Sequence, residues 1–181
     1  MRRLAFVASI IGAIMSMDSN GAAAADPEDT LYMDLASGRV TIELRSDLAP
    51  KHVARIKELA RQGFYDGVVF HRVIEGFMAQ SGDPTGTGRG GSGQNLDAEF
   101  SDANYGRGTL GMARAQSPNS ADSQFFIVLA DSAWLDGQYT VWGRVVEGME
   151  LVDNIKKGHP RTGAVDEPDK IVSFRVAEDV D

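Results

Sequence analysis

Short apolar runs separated by glycine set the first limit on what this chain can fold into. Such runs lie at residues 68–74, 77–80, 110–113, 124–129 and 140–146. Each run is too short for a typical helix and has the length and flanking residues of a β-strand. Glycine occurs 20 times in 181 residues, which favours tight turns over long helices. The pattern therefore predicts a protein built mainly from β-strands.

The remaining segments add a hairpin, two helices and a last strand. Residues 30–35 and 39–45 alternate apolar and polar side chains around a short turn, which predicts a β-hairpin. Apolar residues recur at helical spacing over residues 50–62 and again over residues 149–157. Residues 171–176 alternate once more and are expected to form the final strand.

The balance of strands and helices indicates how these elements are arranged. Two helices are too few to cover both faces of a large parallel sheet. Many short strands without crossover helices favour an antiparallel sheet that closes into a barrel and so has no exposed edges. No internal repeat or long linker divides the chain after residue 25. We therefore expect one domain over residues 26–181, a mainly β, closed antiparallel barrel with two α-helices.

The first 25 residues have the three parts of a secretory signal peptide. Arg2 and Arg3 supply the positive start, residues 4–17 form an apolar run, and residues 23–25 are three alanines that suit cleavage. The run is shorter than the roughly 20 residues that a membrane-spanning helix needs. We expect a mature chain that begins near Asp26 and is exported, to the periplasm in a Gram-negative bacterium, with no stable membrane insertion after cleavage. The alternative is an uncleaved segment that tethers the domain at a membrane.

Charge and residue types exclude several kinds of chemistry. The net charge of −8 repels phosphate backbones, so we expect no nucleic-acid partner. The absence of cysteine excludes disulfides, thiol nucleophiles and cysteine-bound metals. The three histidines are not spaced as metal ligands, and neither a nucleophile elbow nor a zinc-protease motif occurs. We expect no metal and no cofactor.

Two weaker patterns leave a structural and a functional interpretation open. Asp97 and Glu99 could form an acid/base pair, although carboxylates two residues apart in a polar segment are more often solvated surface. Residues 86–93 satisfy a G-x-G-x-x-G pattern, but no helix pattern follows it and the segment is more typical of a surface loop.

One arginine stands in an unusually apolar setting. Arg72 lies between Phe70 and Ile74, with Phe77 and Met78 shortly after it. Burying a guanidinium is costly unless its donors find partners, so this position indicates either a structural ion pair or a functional site.

The residues around Arg72 resemble a motif of a known family. Residues 70–83, Phe-His-Arg-Val-Ile-Glu-Gly-Phe-Met-Ala-Gln-Ser-Gly-Asp, resemble the signature block of the cyclophilins, and the likeness continues through residues 110–113, 123–127 and 134–137. It spans residues 30–177 with the motifs in matching order. The resemblance implies an eight-stranded antiparallel barrel capped by two helices, with an active groove on its outer face. It also implies peptidyl-prolyl cis/trans isomerase activity on proline-containing polypeptides.

The resemblance assigns roles position by position. It makes Arg72 the catalytic arginine and Gln80 a ligand of the substrate backbone. The matching proline pocket consists of Phe77, Met78, Phe126 and Leu135. The groove beside it is lined by Ala113, Arg114, Ala115 and Gln124. Trp134 matches the position that contacts the cyclic inhibitor cyclosporin. We also expect the protein to be a monomer.

The chain departs from the family pattern at three positions. Tyr139 stands where many cyclophilins have histidine, Glu75 where proline is common, and Arg114 where asparagine is frequent. Tyr139 is the departure that bears most on substrate preference and cyclosporin affinity, although its hydroxyl and apolar ring still suit a substrate-binding wall. The expected function is acceleration of X-Pro rotation in exported proteins, which assists their folding. The alternative is a module that binds proline segments, or acts as a chaperone, with little turnover.

Overall fold

One antiparallel sheet organises the protein, and the computed structural model describes it over residues 26–180. Its strands are β1 (Thr30–Leu35), β2 (Gly38–Leu44), β3 (Arg72–Ile74), β4 (Met78–Ser81), β5 (Thr109–Met112), β6 (Phe125–Val128), β7 (Val141–Glu147) and β8 (Ile171–Val176). They follow the order β3-β4-β6-β5-β7-β2-β1-β8, and every neighbouring pair is antiparallel. The helices are α1 (Pro50–Arg61) and α2 (Met149–Asp153). A mainly β fold with eight antiparallel strands and two helices is therefore confirmed.

The sheet curls into a half-barrel, and its strand pairing does not run into a complete ring. Strands β3 and β8 stand at the two ends of the strand order, and within residues 26–180 no ladder joins them. Single bridges pair Val69 with Lys170 and Arg72 with Ala164 instead. This is also why β3 is shorter than the predicted strand over residues 68–74. The expectation of a fully closed barrel therefore goes further than the observed pairing.

The second helix ends earlier than its apolar spacing predicts. The predicted helix covers residues 149–157, whereas α2 stops at Asp153. The amide of Lys156 donates to Asp169 Oδ2 at 2.8 Å, and the amide of Gly158 donates to the Val73 carbonyl at 2.9 Å. Because these amides bond to distant parts of the chain, they cannot continue the helix.

An aromatic cluster fills the inner face of the sheet. Phe125 meets Tyr65 and Trp142 edge to face at 5.7 and 5.6 Å and stacks on Phe174 at 5.7 Å. All four side chains are fully buried. Successive residues of a strand point to opposite faces, so anchoring Phe125 in the core turns Phe126 outward.

Glu99 caps helix α1 from a distant loop. Ala49, which precedes the helix, offers no side-chain cap. The Glu99 carboxylate instead accepts hydrogen bonds from the amides of Lys51 and His52 at 3.1 and 3.0 Å, and lies 2.7 Å from His52 Nδ1. Burial raises the pKa of the Glu99 carboxyl, but the hydrogen bonds from His52 and Lys51 outweigh it and lower the pKa. Glu99 is a structural residue, so interpreting it as solvated surface is wrong, whereas Asp97 is exposed.

The predicted signal peptide at residues 1–25 lies outside the described residues. Within residues 26–180, no helix has the length and apolar character needed to cross a bilayer.

Glu99→Gln should lower the free energy of unfolding by about 1–2 kcal/mol at neutral pH, because it removes a charged cap from α1. A carboxyl whose pKa is lowered by folding stabilises the fold above its unfolded pKa and loses that contribution as the pH falls through the lowered value. The difference between variant and wild type should therefore shrink in acid. Urea unfolding at several pH values measures it, with Asp97→Asn as the exposed control. Equal stability of both variants at neutral pH would contradict the capping role.

Candidate active site

The register of four strands places a row of residues on the outer face of the sheet. Arg72 on β3 lies opposite Gln80 on β4, and Gln80 lies opposite Phe126 on β6. Phe126 in turn lies opposite Gly111 on β5. Because directly opposed residues project to the same face of a sheet, these positions form one continuous line.

Arg72 is held by neutral acceptors. Its Nη1 donates to Gln80 Oε1 at 3.1 Å, and its Nε donates to the Thr162 carbonyl at 3.2 Å. Gln80 is fixed in turn by donating through Nε2 to Gln124 Oε1 at 3.0 Å. Within residues 26–180, Nη2 of Arg72 has no hydrogen-bond acceptor, and no carboxylate lies within 4.0 Å of the guanidinium. The structure therefore does not support the structural ion pair, and Arg72 keeps a free donor.

The turn at Thr162 and Gly163, close to the C-terminus, contacts Arg72. The amide of Val73 donates to the Gly163 carbonyl at 2.8 Å, which aligns this turn with β3. Gly163 has a φ of 77°, and a Cβ added there would lie 2.8 Å from both Arg72 Cγ and Ile74 Cγ1. Only glycine allows the turn to lie this close. Thr162 and Gly163 are positioning residues that no motif in the sequence indicates.

A cavity of about 120 Å³ opens next to Arg72. Met78, Phe126 and Leu135 are almost completely buried in its apolar wall. The full lining consists of Arg72, Phe77, Met78, Gln80, Ala113, Arg114, Phe126, Leu135 and Tyr139. The structure thus brings together nine of the residues that the resemblance assigns to the site.

Tyr105 and Gly111 form the base beneath Phe126. The Tyr105 ring stacks on Phe126 with 5.7 Å between centroids, and the amide of Tyr105 donates to Asp136 Oδ1 at 2.7 Å. A Cβ on Gly111 would lie 2.6 Å from Phe126 Cζ, so a larger residue would displace the ring. Burial raises the pKa of the Tyr105 hydroxyl, which keeps it protonated. Sequence reasoning missed both residues because each acts through Phe126.

Two departures from the family pattern meet in the cavity wall. The Arg114 guanidinium lies 4.6 Å from the centroid of the Tyr139 ring, in cation–π contact. Its Nε and Nη2 both donate to the Gln138 carbonyl, at 3.2 and 3.0 Å. Tyr139 also packs edge to face on Phe126 at 5.6 Å. The substitutions therefore support each other and leave the wall intact.

A second cavity of about 450 Å³ adjoins the first. The two share Gln80, Ala113 and Arg114, and the second also includes Ala115 and Gln124. Trp134 lines neither cavity. It is 61% exposed, and its ring lies 5.7 Å from that of Phe77, which lines the first.

The glycine-rich loop, residues 86–93, forms the far wall of the second cavity and is firmly anchored. Gln124 Nε2 donates to the carbonyls of Gly88 and Gly90 at 3.1 and 2.8 Å. Asp83 Oδ2 accepts from the amide of Gly88 at 2.6 Å, and Asp122 Oδ2 accepts from that of Gly93 at 2.9 Å. Burial raises the pKa of the Asp83 carboxyl, but hydrogen bonds from Thr85 and the loop amides outweigh it and lower the pKa to about 2. The segment is the surface loop that the sequence predicts, and these hydrogen bonds fix it as one wall of the cavity.

Comparison with known proteins gives a consistent result. Residues 30–176 match the family model of the cyclophilin type peptidyl-prolyl cis-trans isomerases. A probable peptidyl-prolyl cis-trans isomerase of Brucella suis is 53% identical over 97% of this chain and 93% of its own length. A peptidyl-prolyl cis-trans isomerase of Schizosaccharomyces pombe is 48% identical over 72% of this chain and 86% of its own.

Solved structures agree with the sequence relatives. A cyclophilin from Hirschia baltica superposes with a TM-score of 0.78 at 29% identity, covering 86% of this chain and 76% of that one. A cyclophilin type isomerase from Cryptosporidium parvum, solved in the presence of the dipeptide Ala-Pro, has a TM-score of 0.75 at 31% identity and covers 81% and 98%.

The curled sheet, with an arginine beside a cavity that has one apolar wall, is the architecture of a prolyl isomerase. The chain belongs to the cyclophilin family of peptidyl-prolyl cis-trans isomerases.

Gly163→Ala should reduce kcat/KM for a proline peptide by about 10- to 100-fold if Arg72 has the catalytic role that the resemblance implies, because the added methyl group displaces the Arg72 side chain and small misplacements of a catalytic group are costly. Gly67→Ala is the matched control, since Gly67 has a φ of 76° but nothing within 4 Å of an added Cβ. Both variants carry the same backbone strain, so only the first should lose activity. Equal losses in the two would show that strain alone explains the effect.

Proposed function

We propose that this isomerase is exported, that it accelerates X-Pro rotation in other exported proteins, and that Arg72 is its catalytic residue. The signal-peptide pattern of residues 1–25 supports export. Proline isomerisation takes tens to hundreds of seconds unaided and limits the folding of many chains. The observation that carries the assignment to Arg72 is its free Nη2 beside a cavity of about 120 Å³ whose apolar wall includes Met78, Phe126 and Leu135.

The reaction needs a group that favours a twisted amide over both planar forms. Resonance gives the X-Pro bond a rotation barrier of roughly 18–20 kcal/mol. In the twisted state the proline nitrogen becomes pyramidal and regains a lone pair that a planar amide does not offer. A donor aimed at that nitrogen therefore binds the transition state more strongly than either ground state.

Arg72 has the properties of such a donor. Its guanidinium is permanently charged, and two of its nitrogens are already fixed by Gln80 and Thr162. A charge-assisted hydrogen bond of about 1.5–3 kcal/mol corresponds to roughly 10- to 150-fold in rate. Any further acceleration comes from holding one side of the bond while the other rotates.

The smaller cavity suits the proline ring of the substrate, and the adjoining cavity suits the peptide chain beside it. The buried side chains of Met78, Phe126 and Leu135 suit a pyrrolidine ring, which is small and apolar. We infer that the backbone of residues 113–115 holds the neighbouring peptide groups, and that Gln80, whose amide already bonds to Arg72 and Gln124, acts mainly by orienting the guanidinium. The Cryptosporidium parvum relative, solved in the presence of Ala-Pro, supports the proposal that this chain also takes proline-containing segments.

Arg72→Ala should fold normally and lower kcat/KM for a proline tetrapeptide by about 10- to 150-fold. Arg72→Lys should fall in between, because lysine keeps the charge but loses the planar fork that bonds Gln80 and Thr162. A protease-coupled or NMR exchange assay measures both. Turnover close to wild type in Arg72→Ala would exclude the proposed mechanism.

A binding or chaperone module remains the second candidate, since the adjoining cavity of about 450 Å³ is larger than the proline pocket and does not include Arg72. That function predicts that peptide affinity and prevention of aggregation survive in Arg72→Ala. Loss of assisted refolding of a proline-limited exported protein in the same variant would instead favour catalysis.

Export has its own test. The intact mass of the protein recovered from its host should correspond to a chain beginning near Asp26. A mass that retains residues 1–25, with the protein in the membrane fraction, would favour the tethered alternative.

We also propose that cyclosporin binds at Trp134. Trp134 is exposed whereas Trp142, the other tryptophan, is fully buried, so a change in fluorescence on titration should report on Trp134. Trp134→Phe should abolish that change. Tyr139→His should tighten cyclosporin binding, because it restores the histidine that many cyclophilins have at this position.

A further inference from the structure

Three arginines around the two cavities have no carboxylate partner. Within residues 26–180, Arg72, Arg89 and Arg114 are absent from every ion pair within 4.0 Å. Six other arginines do form such pairs: Arg39, Arg45, Arg55, Arg61, Arg107 and Arg175. Arg144 and Arg161 are also unpaired within the described residues, but neither lines the two cavities, whereas Arg72, Arg89 and Arg114 all do.

Arg89 is the most available of the three. It is exposed, it lines the cavity of about 450 Å³ together with Arg114, and within the described chain its side chain donates no hydrogen bond. Its loop is anchored on both sides by the Gln124 bonds to Gly88 and Gly90. The backbone that carries Arg89 is thus already ordered, which reduces the entropy lost when its guanidinium binds a partner.

Two carboxylates lie near the same loop, but both are occupied. Asp83 accepts the amides of Thr85 and Gly88 at 2.7 and 2.6 Å. Asp122, which also lines the cavity, accepts the amides of Ser92 and Gly93 at 2.8 and 2.9 Å. The three arginines outnumber the two carboxylates, whose oxygens already accept hydrogen bonds from loop amides. The groove therefore carries a local positive charge.

We infer that the cavity beside the proline pocket takes an acidic side chain, so that the preferred substrates carry Asp or Glu close to the proline. The inference rests on the proposed function, because it assumes that the substrate chain follows the groove from Arg72. The cavities share Gln80, Ala113 and Arg114, and an extended chain advances about 3.3–3.6 Å per residue. The acidic residue should therefore lie within about three positions of the proline.

The net charge of −8 does not oppose this preference. Charges are screened over about 8 Å at physiological ionic strength, so distant surface carboxylates contribute little at the groove. A direct contact between a substrate carboxylate and the exposed Arg89 acts at a much shorter distance, so added salt weakens it without removing it at physiological ionic strength.

Matched peptides test the inference. We would measure kcat/KM for sets of three peptides that differ only in having Glu, Gln or Lys at one position near the proline. The varied position is moved in turn along both sides of the proline. At low salt the best Glu peptide should exceed its Gln counterpart by about two- to fivefold, as expected for an exposed ion pair, and the Lys peptide should be the poorest. The ratio should fall with added salt and approach one in Arg89→Gln. Arg144→Gln, an exposed change on β7 outside both cavities, should retain the wild-type ratio.

The outcomes separate the two proposals. If wild type accelerates the Gln peptides but treats Glu, Gln and Lys alike at every position, the acidic preference is wrong and the proposed function stands. If the Glu preference persists in Arg89→Gln, Arg89 is not its source and the assignment of this cavity fails. If wild type accelerates none of the peptides, the proposed function and this inference fail together.

Discussion

The site depends on one geometric constraint, the pairing register of β3, β4, β6 and β5. That register sets Arg72, Gln80, Phe126 and Gly111 in one line on the outer face. On the inner face, Phe125 is locked among the aromatic residues of the core, which prevents β6 from slipping. Because a slip of one residue would send every side chain of a strand to the opposite face, packing on the inside determines the site on the outside.

The acceptors around Arg72 explain how its guanidinium can keep a free donor beside the cavity. A carboxylate partner would satisfy the charge, but it would also compete with a weak acceptor such as an amide nitrogen. Gln80 Oε1 and the Thr162 carbonyl hold the side chain without neutralising it. Arg72 is also only half-buried, which keeps the desolvation cost of its charge moderate. Orientation by neutral groups and partial exposure together leave Nη2 available to a substrate.

The sequence predicts those parts of the fold and site that are encoded locally. Periodicity predicted the β1–β2 hairpin, β8 and all of α1, and the motif around Arg72 indicated the site beside which the structure has a cavity. What it missed depends on partners far along the chain. The Thr162 carbonyl lies 90 residues from Arg72, and Glu99 caps a helix 47 residues away. The early end of α2 has the same cause, since tertiary acceptors there replace local hydrogen bonding.

The central claim is that Arg72 and Gln80 act as one unit because the register of β3 and β4 couples them. A double-mutant cycle in kcat/KM, comparing Arg72→Ala, Gln80→Ala and the double variant with wild type, measures this coupling directly. The double variant is expected to be little worse than Arg72→Ala alone, because Gln80 acts largely by orienting the guanidinium. A double variant whose loss equals the product of the two single losses would show independent residues and contradict the account.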